Sequence, residues 1–200
     1  MKPKLRAIVL IVLGLLLILT SAFFFSIYEQ EAEKAGENAQ QLLAALTEEI
    51  EQNQEQNLYD TAVQEQSTGQ MLQTSLQGHD LVGIIRVPGV GVELPVLDSW
   101  SYDLLKLSPC RYSGSIAGQD LILMGHNYKK HFAPLRRVSP GDRVEFLDVS
   151  GTSHAYVVTE TEVLKPTQLD ELSSSDYSLT IFTCTPGGQS RFVVRCDPSK

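Results

Sequence analysis

Three kinds of side chain in this sequence could together catalyse acyl transfer: a thiol, an imidazole and a guanidinium. Cys184 ends an apolar, β-rich run over residues 178–183, and a Pro-Gly-Gly turn follows it. Arg191 opens the next β-rich run, so a hairpin would place its guanidinium beside the sulfur. His126 follows another apolar run, Leu-Ile-Leu-Met-Gly. The combination predicts a cysteine acyltransferase, although each residue alone is more often structural than catalytic.

The chemistry suggests a role for each group. A thiol becomes a nucleophile only as the thiolate, and a neighbouring positive charge favours that form. Arginine keeps its charge, so it suits the oxyanion that forms when a thiolate attacks an amide carbonyl. Arg195 shares a strand face with Arg191 and is the second candidate for this arginine. Asn127, next to His126, is predicted to orient the loop or the ring.

The N-terminal segment predicts a membrane anchor. Residues 1–6 carry three basic side chains, and residues 7–27 then run for 21 positions without a charge. Such a run is long enough to cross a hydrocarbon core of roughly 30 Å. The basic flank favours a cytoplasmic N-terminus and an extracellular remainder. A cleaved signal peptide is the alternative, but its apolar core is only about 7–15 residues long.

Residues 28–77 are predicted to form an acidic stalk, rich in Gln and Glu, with ten acidic residues against Lys34 alone. Leucine, alanine and isoleucine recur there at spacings of three and four, which predicts a helix over about residues 31–56. The period is lost after residue 57, which indicates a loose end. A plain spacer is favoured over a coiled-coil dimer.

Residues 78–200 are predicted to form a closed or nearly closed β-barrel with short helices over about residues 101–107 and 166–172. Seven β-rich runs are separated by Gly, Pro, Asp and Ser: Leu81–Val87, Val92–Val96, Asp120–Met124, Arg143–Leu147, His154–Leu164, Ser178–Thr183 and Arg191–Cys196. The region is nearly neutral and has no dense basic face, so nucleic-acid binding is not expected.

The three cysteines form an odd number in a chain predicted to be exported. A disulfide between Cys110 and Cys196 would leave Cys184 as one free thiol per folded chain, and two buried free thiols are the alternative. There is no Cys-x-x-Cys, and His126 and His131 lie five residues apart in a loop without an acidic or thiol neighbour. No metal site and no organic cofactor are therefore predicted. His131 and His154 are expected on the surface.

Two motifs resemble those of sortases, the membrane-anchored cysteine transpeptidases of Gram-positive bacteria. Leu-Thr-Ile-Phe-Thr-Cys-Thr-Pro-Gly-Gly-Gln-Ser-Arg is similar to their Thr-Leu-x-Thr-Cys signature and following arginine. Gly-His-Asn-Tyr resembles their histidine motif, and the order His, Cys, Arg matches. The likeness covers roughly residues 78–197. It implies a mainly β fold, the closed eight-stranded sortase β-barrel, after a transmembrane helix and a helical or flexible stalk.

The resemblance also implies a reaction. Cys184 would form a thioester with the threonine of an LPxTG-like C-terminal sorting signal in a secreted protein. His126 would protonate the leaving amine, Arg191 would clamp substrate and oxyanion, and Thr183 and Asn127 would contact substrate. An amine of lipid II or a pilin lysine would then accept the acyl group. The chain would be a thiol protease of the cell membrane, held through residues 7–27.

The subclass and one rival function stay open. Gly-His-Asn followed by Phe132 and Leu135-Arg136 resembles class B sortases, but residues 165–177 leave no room for the long class B helix before the cysteine. The rival is a catalytically silent, membrane-tethered β-barrel that binds a cell-wall or pilus component.

Overall fold

The computed structural model describes residues 3–57, 71–168, 170–173 and 176–199. Three α-helices lie in these ranges: α1 (Pro3–Asn57), α2 (Tyr102–Leu107) and α3 (Asp170–Ser173). The strands are β1 (Thr74–Leu76), β2 (His79–Val87), β3 (Val92–Leu97), β4 (Cys110–Ser113), β5 (Leu121–Gly125), β6 (Arg143–Asp148), β7 (Ser153–Leu164), β8 (Leu179–Cys184) and β9 (Arg191–Pro198). Short 3₁₀ turns cover Pro88–Val90, Ala133–Arg137 and Pro166–Gln168.

Strands β2 to β9 close into the predicted eight-stranded barrel. Their order is β2-β3-β4-β5-β8-β9-β7-β6, and pairing between β6 and β2 closes the ring. The pairs β3–β4 and β5–β8 are parallel, and the other neighbours are antiparallel. Strand β1 adds to β2. Closure leaves the barrel strands without a free edge and fixes the rim on which β5 and β8 end.

The sequence predicted seven of the nine strands and missed β1 and β4. These two are the shortest, with three and four residues, so neither is long enough to show a clear alternation of apolar and polar positions. Both exist because a neighbouring strand pairs with them. Strand β1 falls within the segment assigned to the stalk, and the proposed division at residue 77 stays a prediction.

Helix α1 is one continuous helix of 55 residues, of which the predicted helix over about residues 31–56 is the second half. Its first part is long and apolar enough, by length and composition, to cross a membrane. Its second part is not a free spacer, because one stripe is buried against the barrel. The buried side chains recur every three or four residues: Ala35, Ala39, Leu42, Leu46 and Ile50. The loose end expected after residue 57 falls largely on residues 58–70, outside the described ranges.

Two main apolar clusters hold these elements together. The first fills the barrel with side chains such as Phe146, Ile181 and Val194, and Ala39 of α1 joins it. The second lies outside β2, β3 and β4, where Leu46 and Ile50 of α1 pack on the barrel together with α2. Helix α1 is therefore part of the folded unit.

Of the two alternatives for Cys110 and Cys196, the structure has no disulfide, and both thiols are free and buried. They lie on β4 and β9, which are three strands apart in the ring. At about 4.8 Å per strand their Cα atoms are well beyond the ~7 Å that a disulfide can bridge. Burial raises the pKa of both thiols to about 12. The structure therefore corresponds to the alternative of two buried thiols.

Candidate active site

The parallel pairing of β5 and β8 brings the histidine and the cysteine to the same rim of the barrel. Gly125 lies opposite Thr183 in this ladder, so His126 and Cys184 come next on adjacent strands. The buried hydroxyl of Thr183 donates a hydrogen bond of 2.8 Å to the carbonyl of Gly125. This contact ties the two strand ends together, and Thr183 also lines the cavity beside the sulfur.

The hairpin between β8 and β9 adds the arginine. Cys184 and Arg191 are directly opposite in the antiparallel ladder, so their side chains share one face. The turn between them needs positive φ angles at Gly187 and Gly188 (84° and 73°), which glycine adopts without strain. One guanidinium nitrogen, Nη1, donates to the carbonyls of Gly188 (3.1 Å) and Ser190 (3.2 Å). Arg191 is therefore oriented by the turn beside the thiol.

Close packing behind the histidine explains the glycine that precedes it. A Cβ atom at Gly125 would lie 2.5 Å from the ring of Phe132, a fully buried side chain of the barrel core. The amide of Phe132 donates to the carbonyl of His126 (3.1 Å), which folds the loop back on itself. The ring of Tyr128 lies against the imidazole with centroids 4.7 Å apart.

Burial lowers the pKa of His126 below its ordinary value. The negative charge of Glu31 opposes this shift, and the positive charge of Lys106 adds to it. The protonation state of the imidazole therefore depends on two residues from helices α1 and α2.

An apolar cavity of about 180 Å³ opens beside Cys184, His126 and Arg191. Its wall consists of aromatic and aliphatic side chains: Trp100, Tyr102, Leu105, Tyr112, Met124 and Phe182. The rings of Trp100 and Tyr112 stack with centroids 5.8 Å apart, and Tyr112 meets Phe182 edge to face at 5.4 Å. Such a surface suits an extended peptide with apolar side chains. The sequence did not predict this wall, although Trp100 is the only tryptophan in the chain.

A second cavity of about 360 Å³ also borders His126 and Cys184. The loops around His126 and Cys184 form one side, and Tyr28 and Glu31 of α1 form the other. Tyr28 meets Tyr128 with ring centroids 5.8 Å apart. The sequence analysis missed these two residues, because it assigned them to a spacer.

Three further residues that the sequence analysis named lie apart from the cluster of Cys184, His126 and Arg191 or at its border: Arg195, Asn127 and His131. Arg195 is buried and pairs with Glu162 (Nε to Oε1, 2.8 Å), and it lines neither of the two cavities. Asn127 borders the second cavity, and within the described ranges its buried Oδ1 has no hydrogen-bond partner. His131 is fully buried rather than on the surface, with Nε2 3.2 Å from the carbonyl of Ala35 in α1.

Comparison with known proteins decides the family. The sortase domain model matches residues 85–199, which is more than half of the chain. The chain belongs to the sortase family. Sortase A of Bacillus anthracis is 26% identical over 199 residues, covering 96% of this chain and 91% of the relative.

Solved sortase structures share the fold. A sortase D5 transpeptidase of Clostridium perfringens superposes with a TM-score of 0.61 at 19% identity, covering 82% of this chain and 99% of that one. Sortase C of the same organism, solved with the C-terminal cell wall sorting motif, has a TM-score of 0.56 at 24% identity, covering 84% and 95%. Sortase C1 of Streptococcus suis is 28% identical with a TM-score of 0.53, covering 61% and 74%.

These relatives are sortases of several kinds and single out no subclass. In this sortase, the described part of the connection between β7 and β8 contains only a 3₁₀ turn and the four residues of α3. No long helix of the class B kind lies in that part, in agreement with the length of residues 165–177.

Proposed function

We propose that this sortase is a single-pass membrane protein that cleaves an LPxTG-like C-terminal sorting signal of secreted proteins. It transfers the acyl group through a thioester on Cys184 to an amine of a cell-wall precursor or a pilin. The observation that carries the proposal is the position of Cys184, His126 and Arg191 on one rim, beside an apolar cavity. The structure of Clostridium perfringens sortase C with the C-terminal cell wall sorting motif supports this class of substrate.

The reaction has two halves. The Cys184 thiolate attacks the carbonyl carbon of the scissile amide and forms a carbon–sulfur bond. The π electrons of the carbonyl group move onto its oxygen, which becomes the oxyanion. When the carbon–nitrogen bond breaks, the His126 imidazolium gives its proton to the leaving amine and a thioester remains. The acceptor amine then attacks the thioester carbon, His126 takes up the amine's proton, and the thiolate leaves. A new amide forms without net oxidation or reduction.

The neighbouring groups support these steps. The guanidinium of Arg191, on the same face as the sulfur, stabilises the developing oxyanion. Arg195 is committed to its buried ion pair, which favours Arg191 for this role. Asn127 borders the second cavity and Thr183 lines the first, so both residues are placed to contact a bound peptide.

The membrane arrangement follows from the first helix. Residues 7–27 span the bilayer, residues 1–6 remain in the cytoplasm, and the barrel is extracellular. The exposed apolar side chains along this part of α1 support the span.

The test uses the full-length protein in detergent micelles and a panel of sorting-signal peptides, with and without an added amine. Mass spectrometry is expected to find an acyl adduct on Cys184 with at least one peptide and an amine-dependent transfer product. Cys184→Ala should abolish both, and Cys196→Ala, which removes a buried thiol, serves as the matched control. Equal processing by Cys184→Ala and the unchanged protein would refute the proposal. No adduct with any peptide, together with a Cys184 thiol that iodoacetamide does not label, would favour the silent binding barrel.

A further inference from the structure

A carboxylate from the anchoring helix lies at the active site. Glu31 and Tyr28 of α1 line the same cavity as His126 and Cys184. Both residues precede residue 85, where the match to the sortase domain begins. This side of the site is therefore built by a part of the chain that the family's shared domain does not include.

Specific contacts hold Glu31 in this position. Its Oε1 lies 3.4 Å from Nζ of Lys106 in α2. Two residues away on each side, Glu29 pairs with Lys129 (3.0 Å) and Glu33 pairs with Lys130. These ion pairs join α1 to the loop that follows His126, so the helix and the catalytic loop are positioned as one unit.

The electrostatic surroundings of the imidazole contain one nearby acid. The titratable and charged groups that face it come from α1, α2, its own loop, β8 and β9: Glu31, Tyr28, Lys106, Tyr128, His131, Cys184 and Arg191. In this set Glu31 is the carboxylate, and Lys106 is a cation that acts against it. Glu31 and Lys106 therefore act on the histidine in opposite directions, in addition to the larger effect of burial.

We propose that Glu31 is a positioning residue of the reaction: its carboxylate stabilises the protonated imidazole of His126, and Lys106 opposes this effect. The inference rests on the proposed function, because it concerns the reactive form of the same enzyme. It makes the membrane-anchoring helix a contributor to catalysis.

The reactive form explains why such a carboxylate matters. The enzyme needs the thiolate and the imidazolium together, yet the reference pKa is about 6.5 for histidine and about 8.5 for cysteine. Between these values the imidazole has lost its proton before the thiol does, so only a minor fraction of molecules carries both charges. Stabilising the imidazolium enlarges that fraction. At lower pH the imidazole is already protonated, and the carboxylate has no further effect on its charge.

The test compares pH profiles of kcat/KM for full-length variants in detergent micelles with one cleavable peptide. For Glu31→Gln we expect the acidic limb of the profile, where kcat/KM falls, to lie at lower pH, and the plateau of kcat/KM to be about two- to fivefold lower. This factor corresponds to the size of an exposed charge interaction. Glu31→Asp should restore most of the plateau. Lys106→Gln should move the limb and the plateau in the opposite direction. All profiles should converge at acid pH. Glu37→Gln, an exposed α1 residue without an ion pair in the described ranges, is the matched control.

A direct titration separates this inference from the proposed function. The ring signals of His126 in isotope-labelled protein report its pKa by NMR whether or not a peptide is cleaved. A lower pKa in Glu31→Gln and a higher one in Lys106→Gln are expected. An unchanged titration, or equal rate losses in both variants at every pH, would overturn the role of Glu31. Shifted titrations in a protein that acylates no peptide would retain the electrostatic contact and overturn the transpeptidase.

Discussion

The two arginines of β9 share a strand face but make different contacts. Arg191 lies opposite Cys184 at the rim and, within the described residues, donates only to carbonyls of its own turn. Arg195 is buried between Glu162 and the hydroxyl of Thr180. The contacts of Arg195 therefore stabilise the fold, whereas those of Arg191 agree with the substrate role that we propose for it.

Replacing Arg191 by alanine should lower kcat/KM by about 10²–10³-fold, because the oxyanion loses its charged donor. The melting temperature should change little, since this side chain is partly exposed and holds only the turn. Peptide-cleavage kinetics and thermal unfolding of the same preparation check both parts. Arg191→Lys keeps the charge without the fork of donors and should recover part of the rate. Full activity in Arg191→Ala would contradict the assignment.

The three thiols should differ in reactivity. Burial raises the pKa of Cys110 and Cys196 to about 12, so at neutral pH fewer than about one molecule in ten thousand carries either thiolate. In the folded protein without reductant, iodoacetamide should label Cys184 alone. After unfolding in denaturant, still without reductant, it should label all three. Labelling of only one thiol in the unfolded protein would mean that the two buried cysteines are bonded after all.

At the scale of elements, Arg195 joins β9 to the segment that connects β7 and β8. Its guanidinium donates to Glu162 of β7 and to the carbonyls of Glu171 and Leu172 at α3. The connection that precedes the catalytic strand is thus held by one buried cation.

Arg195→Ala should lower the free energy of unfolding by about 3 kcal/mol, because it removes a buried donor from the carboxylate of Glu162 and from the carbonyls of Glu171 and Leu172. Thermal or chemical unfolding measures this loss. Arg143→Ala on β6 removes an exposed arginine that has no ion pair in the described ranges, and it should change the stability by less than about 0.5 kcal/mol. Equal losses in both variants would refute a special role for Arg195.

The docking of α1 should depend on pH through His131. Burial, partly offset by the hydrogen bond to Ala35, lowers the pKa of His131 from 6.5 to about 4. Between these two values the unfolded or undocked imidazole binds a proton that the docked one does not. The contribution of His131 to the stability of the docked state is therefore fully present above about pH 6.5. The free energy of docking falls by up to about 3 kcal/mol as the pH drops towards 4.

Hydrogen exchange of residues 35–50 as a function of pH checks this prediction, because undocking exposes that stripe of α1. In His131→Gln an amide that does not titrate replaces the imidazole, and the extra loss of protection below pH 6.5 should disappear. Identical pH dependence in the variant and the unchanged protein would show that other groups are responsible.

At the scale of the whole molecule, the sequence predicted the features that depend on residues close together in the chain. The barrel followed from seven β-rich runs. The types and order of Cys184, His126 and Arg191 predicted that these residues lie together, and the structure brings them to one rim; their catalytic roles stay a prediction. The aromatic wall at Trp100 and the acid Glu31 were missed, because only tertiary packing brings α1, α2 and β4 to the catalytic rim. His131 was expected at the surface because nothing in its own loop shows that α1 covers it.

Helix α1 passes from the apolar segment to the barrel without a break. Tyr28 and Glu31, which border the catalytic cavity, follow Ile27 by one and four residues, or about 6 Å along the helix at most. If residues 7–27 span the bilayer, as we propose, the rim that carries Cys184 lies level with the lipid headgroups. The enzyme would then have almost no reach, and its substrates would have to arrive by lateral diffusion in the plane of the membrane. Surface density, rather than concentration in the surrounding medium, would set how often it meets them.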